Sequence, residues 1–171
     1  MWLSLAAAAV CAAGLLAALL PESAAAAVPD LRAERGTSFA RGALAEINAA
    51  RRAHGLRTLR LHAALARAAA AHGRRLAQSG QFGHANAEGS ASERIRRYYR
   101  GSAVGEAIAW HESELSPEQT VAGWLASPLH RAILLHRSFR HVGIAVFRVP
   151  SAPGVYGGLD ATIVVADFGA P

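Results

Sequence analysis

The chain of 171 residues reads as an α+β domain, a three-layer α-β-α sandwich built on a small, mainly antiparallel sheet. Three observations predict this class. Two long stretches with helical apolar spacing come first. A short apolar run around Glu106 then has the character of a strand. The final third carries two strand-like segments joined by a turn-rich connection. The order helices, strand, helix, hairpin argues for an antiparallel sheet covered by helices on both faces. No internal repeat interrupts it.

The elements follow in order. Residues 3–20 are uncharged and apolar, Pro21 ends the run, and Ala24–Ala27 fits the small-x-small cleavage rule, so residues 1–27 read as a secretory signal. The alternative is an uncleaved anchor, marginal for a span that needs about 20 residues. Residues 28–38, with Pro29 and Gly36, read as a linker, and 39–171 as the domain. Ala40, Ala43, Leu44, Ile47 and Ala50 form a helical stripe, and Gly55 is placed to end that helix in a left-handed cap. Leu61, Leu65, Ala68, His72 and Leu76 mark a second helix, closed by Gly80. Ser90 or Ser92 can cap a shorter helix through Ile95 and Tyr98. Ala103–Trp110 is the first strand. Ser116-Pro117-Glu118 opens a helix with proline at its first position; it presents Val121, Trp124 and Leu125, and Ser127-Pro128 breaks it. Residues 129–136 form a further helical turn or a tight loop. Val142, Ile144 and Val146 alternate with Gly143, Ala145 and Phe147 in a strand apolar on both faces. Residues 150–160 make a turn-rich connection, and 161–168 a closing strand.

Composition bounds function. All 18 basic residues are arginines, and the net charge is +6. Removing residues 1–27 takes away only Glu22 among charged residues and leaves +7. Such charge favours polyanions, but the arginines are dispersed and no aromatic residues interleave with them as a base-stacking platform would require. Specific nucleic-acid binding is therefore not expected; adhesion to anionic cell-envelope polymers fits better. The single cysteine, Cys11, lies in the N-terminal apolar stretch, so the domain has neither a disulfide framework nor a thiolate metal site.

Glu106 carries the first chemical signal. A carboxylate inside Gly105-Glu106-Ala107-Ile108-Ala109 must be hydrogen-bonded, paired or a ligand if it is buried; otherwise it sits on a strand with its side chain in water. Among the eight histidines, His62 and His72 fall in the helical pattern and read as packing or surface residues. His84 follows Phe82-Gly83 in a loop, and His130 lies just past Ser127-Pro128. Loops on a rigid scaffold are where sites collect, yet the spacing of 84, 106 and 130 is too wide for a local metal motif and does not itself imply convergence.

Several segments together resemble the CAP superfamily (cysteine-rich secretory, antigen-five, pathogenesis-related) in its bacterial, SCP-like extracellular form. They are Ile47-Asn48, Arg51, Gly55-Leu56 and Leu59; Phe82-Gly83-His84; Gly105-Glu106-Ala107-Ile108-Ala109; Trp124 through Arg131; Val142-Gly143-Ile144-Ala145; and Asp167-Phe168-Gly169. The resemblance spans about residues 40–170. It implies a central cleft in which two histidines and two acidic residues meet, binding zinc in some members. His84, Glu106 and His130 match three of the four, and Ser127 stands where the second acidic residue is normally found. Ala107 and Ile133 also replace residues that are often asparagine.

Two imidazoles, one carboxylate and a water would make a reasonable zinc set, weakened by the lost carboxylate. A metal-free alternative has Glu106 fixing His84 or His130 by a hydrogen bond. The resemblance thus implies a secreted or extracytoplasmic binding module for a divalent metal, a lipid-like ligand or cell-envelope material. Membrane association is expected only if the N-terminal segment stays uncleaved, and the sequence leaves the oligomeric state open. The competing reading, a zinc-dependent hydrolase in the same cleft, lacks a carboxylate, since Glu106 cannot be both ligand and free base. Ser127 with His130 as its base lacks a nucleophile elbow and an acidic orienter, so no complete catalytic set is found.

Overall fold

The computed structural model describes residues 31–171, with side chains from residue 36. The signal reading of residues 1–27, and Cys11 with it, lies outside the described residues. Among those described, no helix is long and apolar enough to cross a membrane.

The first helix, α1, runs Leu31–Ala53. It thus begins within the stretch read as a linker from Pro29 and Gly36. Gly55 has the left-handed φ of +65° foreseen for it. A two-residue strand, β1 (Arg60–Leu61), precedes α2 (Ala63–Ser79). Leu61 therefore lies outside the helix to which its spacing had assigned it, and His62 is the cap, its Nδ1 accepting from the Ala64 N–H. Gly80 closes α2 at φ +67°. The short α3 (Ala91–Arg96) starts in a capping box between Ser90 and Glu93 and stops before Tyr98. Strand β2 (Ala103–His111) is followed by α4 (Pro117–Ala126), which opens with a Ser116/Gln119 capping box. Ser127 is extended (φ −86°, ψ 121°), as the residue before a proline tends to be, and α5 (Pro128–Leu134) restarts the helix at once. Strands β3 (His141–Val149) and β4 (Ala161–Ala170) form the closing hairpin.

The sheet order is β1-β3-β4-β2. Both long pairings, β3–β4 and β2–β4, are antiparallel; β1 joins β3 in parallel through two residues. Every residue of β4 is buried, as its central place demands. Alternation along a strand sends successive side chains to opposite faces. Val164, Ala166 and Phe168 pack with Phe39, Ile47, Val121 and Trp124 under α1 and α4, whereas Ile163 and Val165 pack with Ala69 and Leu76 of α2. The result is the expected α-β-α arrangement. Asp167 shares the strand face of Ile163 and Val165, so a carboxyl group falls on the α2 side of the core.

One close approach fixes that side. A Cβ built on Gly143 would stand 1.9 Å from the Ala66 nitrogen and 2.0 Å from the Leu65 carbonyl carbon. The α2 backbone therefore lies directly on β3, in space that only glycine leaves open. On the other face the Trp124 indole N–H donates to the Ile108 carbonyl at 3.1 Å and ties α4 to β2.

Candidate functional site

Glu106 resolves the first question the sequence raised. It is buried, its side chain 1% exposed, so the reading that placed it on a water-facing surface fails. Its carboxylate is satisfied from two directions. Arg94 Nη2 donates to Oε1 at 3.1 Å and to Oε2 at 2.9 Å. His84 Nδ1 lies 2.8 Å from Oε1; an ionised carboxylate only accepts, so Nδ1 carries the proton. Arg94 Nη2 also donates to the His84 carbonyl at 2.8 Å. One buried guanidinium thus holds both the carboxylate and the backbone of the loop that bears the histidine.

The electrostatics follow from those contacts. Burial alone would raise the Glu106 pKa. The hydrogen bond from His84, the charge His72 gains on protonation, and Arg94 together outweigh it, and the net shift is downward. His72, fully buried on α2, has its Nε2 3.0 Å from the Gly83 carbonyl and 3.8 Å from Glu106 Oε2. A carbonyl accepts, which puts the proton on Nε2 and leaves Nδ1 to accept from Asn86 Nδ2 at 3.4 Å. Burial is the main cause of its lowered pKa, in keeping with that neutral tautomer.

Asp167 is the second buried carboxyl. It is the cross-strand partner of Glu106 on β2 and of Gly143 on β3. No N–H or hydroxyl group among the described residues donates to its oxygens, and Arg94 Nε has no partner; the hydrogen bond of the protonated Asp167 carboxyl is to Glu106. Burial, and then the neighbouring Glu106 charge, push its pKa well above the ordinary carboxyl value. Two acids side by side in a dry site cannot both ionise cheaply; here Arg94 and His84 select Glu106 for the charge.

The remaining cleft residues lie nearer the surface. The His84 side chain is 48% exposed, and the half-buried His130, on α5, has its ring centre 6.0 Å from that of His84 at an interplanar angle of 49°. Burial, then the proximity of His84, lowers the His130 pKa, so His130 favours the neutral form with a lone pair free. Ser127 marks the α4–α5 junction. Its N–H bonds to the Gly123 and Trp124 carbonyls, its carbonyl accepts from Arg131, and its hydroxyl makes no cap bond to α5. No hydrogen bond joins it to His130. Among the described residues, no group of three or more His, Cys, Asp or Glu side chains is placed to hold a metal.

The structure therefore brings His84 onto Glu106 and His130 beside His84. Sequence reasoning missed Arg94, His72 and Asp167. The signal that singled out Glu106, an acid inside an apolar strand, is present again at Asp167 within ATIVVADF. The regular spacing of His72 with Leu65 and Leu76 put it on the buried face of α2, where a polar partner is required. Arg94, in a six-residue polar helix, gives no comparable signal.

Comparison with known proteins adds the lineage. The fold is similar to that of an extracellular protein containing a SCP domain from Bacillus anthracis (TM-score 0.65, 23% identity, covering 84% of this chain and 44% of that one). It is also similar to an outer surface protein of Borrelia burgdorferi (TM-score 0.58, 19% identity, 75% and 90% covered). A cysteine-rich secretory protein from Staphylococcus aureus is a third likeness (TM-score 0.59, 16% identity, 78% and 39% covered). The chain spans less than half the length of the Bacillus and Staphylococcus proteins. No curated protein matches it. The model of the cysteine-rich secretory protein family matches residues 44–168, a range that holds His84, Glu106, His130 and the buried Arg94 and Asp167, and on that match the chain belongs to the CAP family.

Proposed function

We propose that the protein is an exported CAP-domain binding module whose cleft presents the His84 and His130 imidazoles to a ligand. One observation carries this reading: a half-exposed histidine is anchored through Nδ1 to a buried, charge-compensated carboxylate. That anchor fixes the ring and tautomer of His84 and leaves Nε2 as its free nitrogen.

The full ligand set His84, Glu106 and His130 does not suit a metal, because both Glu106 oxygens already face the Arg94 guanidinium. The two imidazoles alone do. Two rings bound to one zinc at about 2.0–2.1 Å per nitrogen have centres roughly 5–6 Å apart, and these stand 6.0 Å apart. A divalent cation would take His84 and His130 as its protein ligands, with Glu106 orienting His84 from behind. The hydrolase alternative finds less support. Glu106 is sealed from solvent and paired with Arg94, so it is not free to act as a base on water.

The test is calorimetric titration of zinc into the chain and into a His84→Ala/His130→Ala variant. Binding heat in the first and its loss in the second are expected. Equal heats in both would remove the cleft as the site.

A further inference from the structure

The opposite edge of the sheet from Glu106 carries a second feature that the cleft does not use. A groove of about 370 Å³ is lined by Arg57, Thr58, Arg60, Arg140, His141 and Pro171. Three guanidinium groups border it, and among the described residues none of the three pairs with a carboxylate; the ion pairs lie at Glu106, Glu88 and Glu114.

The groove is built rather than incidental. Arg51 on α1 is fully buried, and its guanidinium donates to the carbonyls of Arg57 at 2.8 Å, Leu134 at 2.7 Å, His136 at 3.1 Å and Phe139 at 3.2 Å. It thereby clamps the loop before β1 to the loop before β3, the two segments that carry Arg57 and Arg140. Strand pairing does the rest. The Arg60 N–H donates to the Arg140 carbonyl at 2.9 Å, and Arg60 sits opposite His141 in the β1–β3 register. Tyr99 Oη holds His141 Nδ1 at 2.8 Å. Buried, rigid supports thus bring like charges together.

The crowding has a cost that a solvated, dispersed surface would avoid. Burial lowers the Arg51 pKa first and the Arg140 charge lowers it further. At His141, burial is followed by His62 and Arg60 in the same direction. Arg140 Nη1 donates to the Arg137 and Phe139 carbonyls, and no Asp or Glu side chain among the described residues offsets the three guanidinium charges, so the groove they border has the character of an anion site. Guanidinium forks match the oxygens of a phosphate group in both spacing and charge, and the groove has room for a headgroup-sized ligand.

We infer that the groove of Arg57, Arg60 and Arg140 binds a phosphate group, borne either by a soluble phosphate compound or by an anionic phospholipid headgroup. This site is separate from the His84–His130 cleft, so the failure of one proposal leaves the other standing.

The test compares the 171-residue chain with Arg57→Ser/Arg60→Ser and with Arg41→Ser/Arg67→Ser. All four side chains are exposed and none makes a side-chain hydrogen bond among those described, so both variants keep the internal contacts and have equal net charge. Pyrophosphate binding is read by calorimetry, and co-sedimentation is measured with phosphatidylglycerol and with phosphatidylcholine vesicles. The expected result is binding of pyrophosphate, of phosphatidylglycerol vesicles, or of both. It should weaken at least about tenfold in the groove variant and less than about twofold in the charge-matched control. Which probe binds identifies the source of the phosphate. Equal weakening in both variants would reduce the effect to bulk charge and overturn the inference, as would an absence of binding to either anionic probe by the unaltered chain.

Discussion

Arg94 and Asp167 decide the energetics of the cleft from inside the core. Removing one member of a buried ion pair strands the other, and such losses run to about 3–5 kcal/mol. Arg94→Ala is expected to destabilise the fold by an amount in that range, measured by denaturant unfolding. Combining it with Glu106→Gln should cost less than the sum of the two single changes, because the charge left stranded is gone. Asp167 acts in the opposite sense. Its folded pKa is raised above the ordinary value of 3.8, so the folded state holds a proton that the unfolded chain releases. Stability therefore falls as pH rises from near that value through the folded pKa. Asp167→Asn keeps the shape without the proton exchange. Its stability relative to the unaltered chain is expected to rise with pH across that window, seen in unfolding curves taken at several pH values; a constant difference would contradict the raised pKa.

At the scale of elements, the close approach of α2 to β3 sets the position of His72 above Glu106. Gly143→Ala would drive a methyl into the Leu65–Ala66 peptide, and separating α2 from the sheet is expected to cost about 3 kcal/mol or more, beyond the usual range for overpacking, measured as a loss in unfolding free energy. The elements themselves were largely legible. Ser116-Pro117, the Ser127-Pro128 break, Gly80 and the Val142–Phe147 alternation each state a local preference that the fold keeps. Leu61 was misplaced because its four-residue spacing to Leu65 mimics a helix, whereas β1 is held by backbone pairing with β3 that no local pattern announces. The start of α1 was masked in the same way by Pro29 and Gly36.

Across the whole molecule, the cleft is a product of topology. Glu106 lies on one edge strand, Asp167 on the central strand, His72 on α2, Arg94 on α3 and His130 on α5. An acid inside an apolar run singled out Glu106, but its grouping with His84 and His130 came only through a family resemblance, since spacings of this width carry no geometric information. Periodicity puts His72 on the buried face of α2, but its meeting with Glu106, like that of Arg94, comes from long-range packing that composition and periodicity do not encode. This network charges Glu106, keeps Asp167 neutral and so fixes His84. Carboxyl carbon-13 NMR titration, with Glu106→Gln and Asp167→Asn for assignment, measures both protonation states directly. Glu106 is expected to titrate below the ordinary carboxylate range while Asp167 still holds its proton at pH values where Glu106 is fully ionised. An Asp167 that ionises together with Glu106, or before it, would contradict this division of charge between the two carboxyl groups.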